Sequence, residues 1–246
     1  MAAERRQRAA GTVRPYEPRD RAAVRDICCR TAFRNMGSDA LFEDREIHAD
    51  YWTLYNTDHR PDLTTVIEQD GEVVGYFFAQ PDHKEFVRIM GRRIVPSCIL
   101  RALWRWALGR YKKPETKRYI RHTLFRAWKE APQVDYEKYP ATYHCNMLRQ
   151  AYGRGYYTQL LLDYLDQLEA QGIHGIHGHV TEAPGKGIWK RFEETSGFLS
   201  DEQSEVPATM FAYVTGDDRP MANKAIGAPV ERFRKWVLWL REEKRL

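Results

Sequence analysis

The sequence predicts an α/β protein of the α+β kind, a mixed layer sandwich in which short strands alternate with helices. Three observations carry that prediction. At 63–80, LTTVIEQDGEVVGYFFAQ joins two β-rich runs through Asp70-Gly71, a dipeptide that tolerates the positive φ of a tight hairpin turn. At 140–148, the strand-like PATYHCNML leads through RQAYGRG into a run where Leu160, Leu161, Tyr164, Leu165 and Leu168 recur at helical spacing. Gly172 ends that helix, and IHGIHGHV at 173–180 reads as a further strand.

Taken in order, residues 1–11 are basic, Ala-rich and expected to be a disordered tail. TVRPYE at 12–17 reads as a short strand. After Pro18, residues 19–33 place Ala22, Ala23, Val24, Ile27 and Cys28 near helical spacing, with Asp20 close to the start. A second helix is expected over 44–54, and the hairpin follows. Residues 83–138 then abandon the strand pattern. Between 88 and 129, thirteen Lys and Arg side chains are opposed in sequence by Glu115 alone, with Trp104, Trp106, Tyr111, Phe125 and Trp128 among them. That stretch reads as a basic helical insertion, two helices parted near Pro114. After the strand at 140–148, the helix at 156–171 and the strand at 173–180, a short helix is expected over 188–194 and a last strand over 208–214. Val230, Phe233, Val237 and Leu240 mark an amphipathic C-terminal helix. The division expected is one domain over 12–216, containing the insertion, followed by a linker and helix over 217–246.

Composition narrows the classes. At 246 residues the chain can bury a core, and 43% hydrophobic with 13% aromatic content is globular. Lys plus Arg number 39 against 34 Asp plus Glu, so the net +5 matters less than its placement. Cys28, Cys29, Cys98 and Cys145 lack metal-ligand spacing and read as reduced thiols. The most apolar run, IVPSCILRALWRWAL, is interrupted by Arg101 and Arg105 and falls short of the roughly 20 residues that span a bilayer. A soluble, cytoplasmic protein is expected. His174, His177 and His179 have no carboxylate at ligand spacing, so no metal is expected, and Trp189 and Phe192 read as core.

The glycine loop raises the chemical question. A helix opening just after Gly155 leaves its first N–H groups without intrahelical acceptors, with about half a positive charge gathered there. Glycine lets an anion approach that backbone, and Arg154 adds a charged donor. A pyrophosphate suits such a site; a plain strand-to-helix turn is the alternative. A Walker loop would need Lys-Ser/Thr where Tyr156-Tyr157 stands, and a dinucleotide fingerprint would need a third glycine.

Strand PATYHCNML, loop RQAYGRG, helix, strand IHGIHGHV and then Gly197-Phe198 resemble the GCN5-related N-acetyltransferase (GNAT) superfamily. The wording YPATYHCNMLRQAYGRG is also similar to the acetyltransferase-like domain associated with O-GlcNAc hydrolases and its free-standing bacterial relatives. The resemblance covers about 12–82 and 139–214. It implies a mixed, mostly antiparallel sheet flanked by helices, and acetyl-CoA as co-substrate, with no metal. By the family pattern, main-chain groups near Met147 and Leu148 would hold the pantetheine arm and Tyr152, Gly153, Arg154, Gly155, Tyr156 and Tyr157 the pyrophosphate, with Arg149 and Thr158 also expected to bind the coenzyme. A backbone N–H near Met147 and Leu148 would polarise the thioester oxygen.

Many relatives carry a Tyr proton donor before Gly-Phe; here the ungapped position is Glu193. For a base, His144 and Asn146 share a strand face, His144 with a suitable ordinary pKa of about 6.5, Asn146 able only to orient. Glu182, at the end of the next strand, is a further candidate. The implied activity is direct acetyl transfer to an amine-bearing small molecule or peptide. The alternatives left open are a non-catalytic module of the same fold and a basic nucleic-acid-binding protein. The insertion reads as a solvated lid, as an attractor for an acidic partner, or as a surface for nucleic acid or an anionic membrane. Trp236 and Trp239 flank the C-terminal stripe, which could cover the core or form a homodimer.

Overall fold

A computed structural model describes residues 11–183 and 202–244. Strands β1 (Thr12–Pro15), β2 (Thr64–Gln69), β3 (Glu72–Gln80) and β4 (Thr142–Met147) form one antiparallel sheet in that order. The β2–β3 turn has Asp70 and Gly71 at φ 52° and 79°, the doubly left-handed turn that Asp-Gly favours. A second antiparallel sheet has the order β5 (Gly175–Glu182), β7 (Ala222–Pro229), β6 (Glu202–Pro207).

The two sheets touch through one parallel bridge, Ala141 to Ile176. The Ala141 amide donates to the Gly175 carbonyl at 3.3 Å, and the His177 amide donates to the Ala141 carbonyl at 2.8 Å. Beyond it, β4 and β5 run in the same direction in separate sheets and open a V. The apex requires a residue without a side chain, because a Cβ at Gly175 would run into the Lys138 carbonyl.

Alternation along the strands sorts the two faces. Phe77, Ile176 and Ile226 face helices α6 (Tyr156–Ala170) and α8 (Val230–Lys244), whose Leu161, Leu165, Phe233 and Val237 complete one core. Tyr76 and Phe78 face the other way, onto Val24, Ile27 and Cys28 of α1 (Arg21–Asn35). Beside α1 lies α2 (Arg45–Leu54), started by the Asp44 side chain, which accepts from the Ile47 amide at 3.1 Å.

The insertion is helical, as its composition predicts. Helix α3 (His83–Ile89) continues through a π turn at Met90–Ile94 into α4 (Val95–Ala107), and α5 (Pro114–Phe125) starts at the expected proline. It is no solvated lid: Ile94, Cys98, Ala102 and Ile120 pack with Phe42, Ile47 and Tyr55 in a core of their own. Its charge is opposed in space by acids from outside it. Arg105 pairs with Asp44 at 2.8 Å and with Glu46, and Arg101 with Asp50 at 2.6 Å. These two arginines are therefore engaged within the chain, which reduces the case for an acidic partner.

Three expectations need correction. Residues 208–214 do not form a strand; helix α7 (Met210–Thr215) lies there. Part of 217–246 expected as linker is β7, the central strand of the second sheet, whose Ala222, Ala225, Gly227 and Ala228 are too small to give a strong hydrophobic alternation. The C-terminal helix covers the core, with Phe233, Trp236, Val237 and Leu240 buried, so its stripe is not a dimer surface. The helix expected at 188–194 lies outside the described residues, with Trp189, Phe192, Glu193 and Gly197-Phe198. Among the described residues no helix is long and apolar enough to cross a membrane, and the four cysteines are unpaired.

Candidate active site

The V and the entrance of α6 adjoin. From Met147 the chain makes a short turn at Arg149–Ala151, then passes Gly153 and Gly155 at φ 70° and 79°, conformations that glycine adopts without strain. Gly155 is the residue before the helix; no side chain caps this end and no acidic residue lies in the first turn. The first intrahelical bond runs from the Gln159 amide to the Gly155 carbonyl at 3.0 Å, which leaves the amides of Tyr156, Tyr157 and Thr158 ahead of the ladder. Tyr152 is exposed and Tyr157 turns away to meet the Tyr143 hydroxyl at 2.7 Å, so neither ring plugs the entrance. An anion there meets amides and a helix dipole, with no acidic residue in the helix's first turn.

The expected site residues thus divide by what they offer. Tyr156 contributes only its main chain; its hydroxyl is buried, accepting from the Gly11 amide at 2.7 Å and from Gln69 Nε2 at 3.2 Å. Thr158 is buried as well, its hydroxyl donating to the Gly155 carbonyl. Arg149 is exposed and Arg154 half-buried beside the entrance.

Main-chain direction in β4 also follows from the bonds. The Leu148 amide donates to the Val74 carbonyl at 2.8 Å, so it is not available to a thioester. Alternation then turns the amides of Cys145 and Met147 to the open edge, on the side where Ala141 meets β5.

His144 and Asn146 lie together on the α1–α2 side. Asn146 Nδ2 donates to the Tyr76 hydroxyl at 2.8 Å and lies 3.0 Å from His144 Nε2, which must therefore accept. The His144 ring stacks on Trp52, centroids 5.6 Å apart. Burial among rings lowers the His144 pKa to about 4, leaving a neutral and weakly basic imidazole. Glu182 is not placed with them. It shares the face of Ile176, is buried, and pairs with Lys224 Nζ at 3.2 Å. His177 Nδ1 lies 2.6 Å from the Tyr139 carbonyl, a contact that holds the strand entrance near the apex.

Sequence reasoning missed the cavity beside this cluster. It measures about 290 Å³ and is bounded by Trp52 at the β4 side, by Thr181 and Asn223 at the β5–β7 side, and by α4 and α5 between. His48 and Trp52, one helical turn apart with rings 6.5 Å apart, were the legible signal. Phe33, held at φ 50° at the end of α1, sets its ring against His48 and Tyr119, 5.5 and 5.8 Å away.

No family model and no curated protein matches this sequence. Among solved structures, SsHAT is similar over 90% of this chain and 99% of its own, at 24% identity and a TM-score of 0.59. The yncA protein of Salmonella typhimurium, solved with acetyl-CoA as its cofactor, shares 15% identity over 90% of this chain and 95% of its own, at a TM-score of 0.48. An N-acetyltransferase from Staphylococcus aureus Mu50 shares 11% over 90% and 99%, at 0.44. The last two likenesses are too distant to carry an argument; the first shows a shared fold, of antiparallel sheets flanked by helices.

Proposed function

We propose that this chain, built on the GNAT fold, is an acetyl-CoA-dependent N-acetyltransferase working by direct transfer in a ternary complex. One observation carries the reading: the V between β4 and β5 adjoins a helix entrance with no side-chain cap, reached through two glycines at positive φ. The residues fit the coenzyme. The amides of Tyr156, Tyr157 and Thr158 would hold its diphosphate, and the open-edge amides of Cys145 and Met147 would line the arm. Arg149, Tyr152 and Arg154 stand at the rim. The thioester supplies an activated acyl group, which passes to nitrogen as the C–S bond breaks and the C–N bond forms.

The chain's own part is alignment and charge stabilisation. A Met147 amide aimed at the developing oxyanion is the kind of donor whose loss costs about 3–4 kcal/mol. His144 accepts from Asn146 and so fixes that amide against Tyr76; with its pKa lowered to about 4 it orients rather than removes a proton. The amine sheds its proton to water, and the leaving thiolate takes one from water.

Calorimetric titration with acetyl-CoA tests the reading. Saturable heat is expected from the wild type and none from Gly155→Glu, which sets a carboxylate among the amides. A wild-type protein that gives neither heat nor a thermal shift ends the proposal. If the coenzyme binds, thiol release with a panel of amines separates a transferase from a binding module.

A further inference from the structure

One cavity lies beside the V, and much of its wall, from Val95 to Glu130, comes from the insertion that the family resemblance does not cover. Trp52, stacked on His144 of β4, bounds one side, and Thr181 of β5 bounds the other. Between them the walls are apolar: Cys98 and Ala102 of α4, Ile120 and Leu124 of α5, and the rings of Phe42 and Tyr119. The one carboxylate among the described lining residues already has partners. His122 Nε2 lies 3.0 Å from Glu130 Oε1, and Glu130 Oε2 accepts from the Thr209 amide at 2.9 Å. His48 is buried, and burial lowers its pKa to about 4, so it carries no charge at neutral pH. A second ammonium placed here would lose water and find no uncommitted carboxylate among the described lining residues.

We propose that this cavity binds the apolar body of a primary amine, leaving the nitrogen at the Trp52 end beside His144. As an acceptor assignment this rests on the transferase reading above. A volume of about 290 Å³ corresponds to roughly ten water-sized groups, so the fitting ligands are unbranched alkylamines or arylalkylamines of about that size. The half-exposed face of Trp52 suits the amine end, since aromatic faces attract ammonium groups.

Two measurements test it. In the first, 2-phenylethylamine is titrated calorimetrically into the coenzyme-free protein; saturable heat is expected, with none from glucosamine or spermidine. In the second, kcat/KM is measured with acetyl-CoA for n-butyl- to n-heptylamine, where a rise of roughly fourfold per methylene is expected. The variant Ala102→Leu narrows the cavity and should shift the optimum to shorter chains, while acetyl-CoA heat stays unchanged and reports that the variant is folded. If Ala102→Leu fails to fold, the two wild-type measurements decide alone. A flat series, or glucosamine or spermidine outpacing hexylamine, overturns the apolar cavity while leaving a transferase. Heat from 2-phenylethylamine with no acetyl transfer to any amine keeps the cavity and removes the transferase. Neither heat nor transfer removes both.

Discussion

A histidine on a strand beside an open cleft invites the role of general base, and His144 shows why position is not enough. Its Nε2 accepts from Asn146, its ring is stacked on Trp52, and its pKa lies near 4. A true general base is worth about 10²–10⁴ in rate. We therefore expect His144→Gln to keep kcat within about tenfold; a loss beyond a hundredfold in steady-state assays would restore the base. Burial lowers His48 and His177 to about 4 as well. Unfolded, each takes up its proton near pH 6.5, so between about 4 and 6.5 the unfolded chain binds protons that the folded one refuses. Stability is complete above pH 6.5 and falls as the pH drops toward 4, at up to about 1.4 kcal/mol per pH unit for each group. Urea melts at pH 7, 5.5 and 4.5 should show that decline, and His48→Gln should lessen it; a flat profile contradicts the assignment.

At the scale of elements, two glycine positions do different work. Gly153 has open space about it, so Gly153→Ala forces only a left-handed alanine, about 1–2 kcal/mol of strain, and should leave acetyl-CoA affinity nearly intact. Gly175 sits at the apex, where even a methyl meets the Lys138 carbonyl; Gly175→Ala should lower stability by about 3 kcal/mol and weaken coenzyme binding by disturbing the V. Equal affinity in both variants, measured by calorimetry, would show that the apex does not govern the opening. The contact between α2 and α4 is ionic at its edge. Arg105→Leu leaves Asp44, whose side chain is 7% exposed, with the Tyr111 hydroxyl and the Ile47 amide but no cation. A loss of about 3 kcal/mol in denaturant melts is expected; a change under 0.5 kcal/mol would mean that those two hydrogen bonds suffice.

For the whole molecule, the C-terminal segment is part of the fold. β7 pairs with both β5 and β6, and α8 packs its buried Phe233, Trp236 and Val237 against the core that α6 shares. A chain ending at 216 should yield no cooperative thermal transition, because β5 and β6 would lose their common partner and α6 half its cover. A sharp melt from that truncation would show that the segment is dispensable. The insertion likewise belongs to the molecule's working volume, since α4 and α5 close the cavity beside β4.

The amino-acid sequence by itself determined the hairpin at Asp70-Gly71, the strand–loop–helix around Gly155, the helical insertion broken at Pro114 and the C-terminal helix. Each is written in local spacing, where turn chemistry and hydrophobic period act over a few residues. Only the tertiary structure decided the rest. Asp44 and Asp50 stand more than fifty residues from Arg105 and Arg101, and β7, poor in large side chains, is a strand because two neighbours bond to it. Trp52 becomes a cavity wall through contact with His144, ninety-two positions away. Charge pairing, sheet register and enclosure depend on which distant segments meet, and local patterns do not encode that meeting.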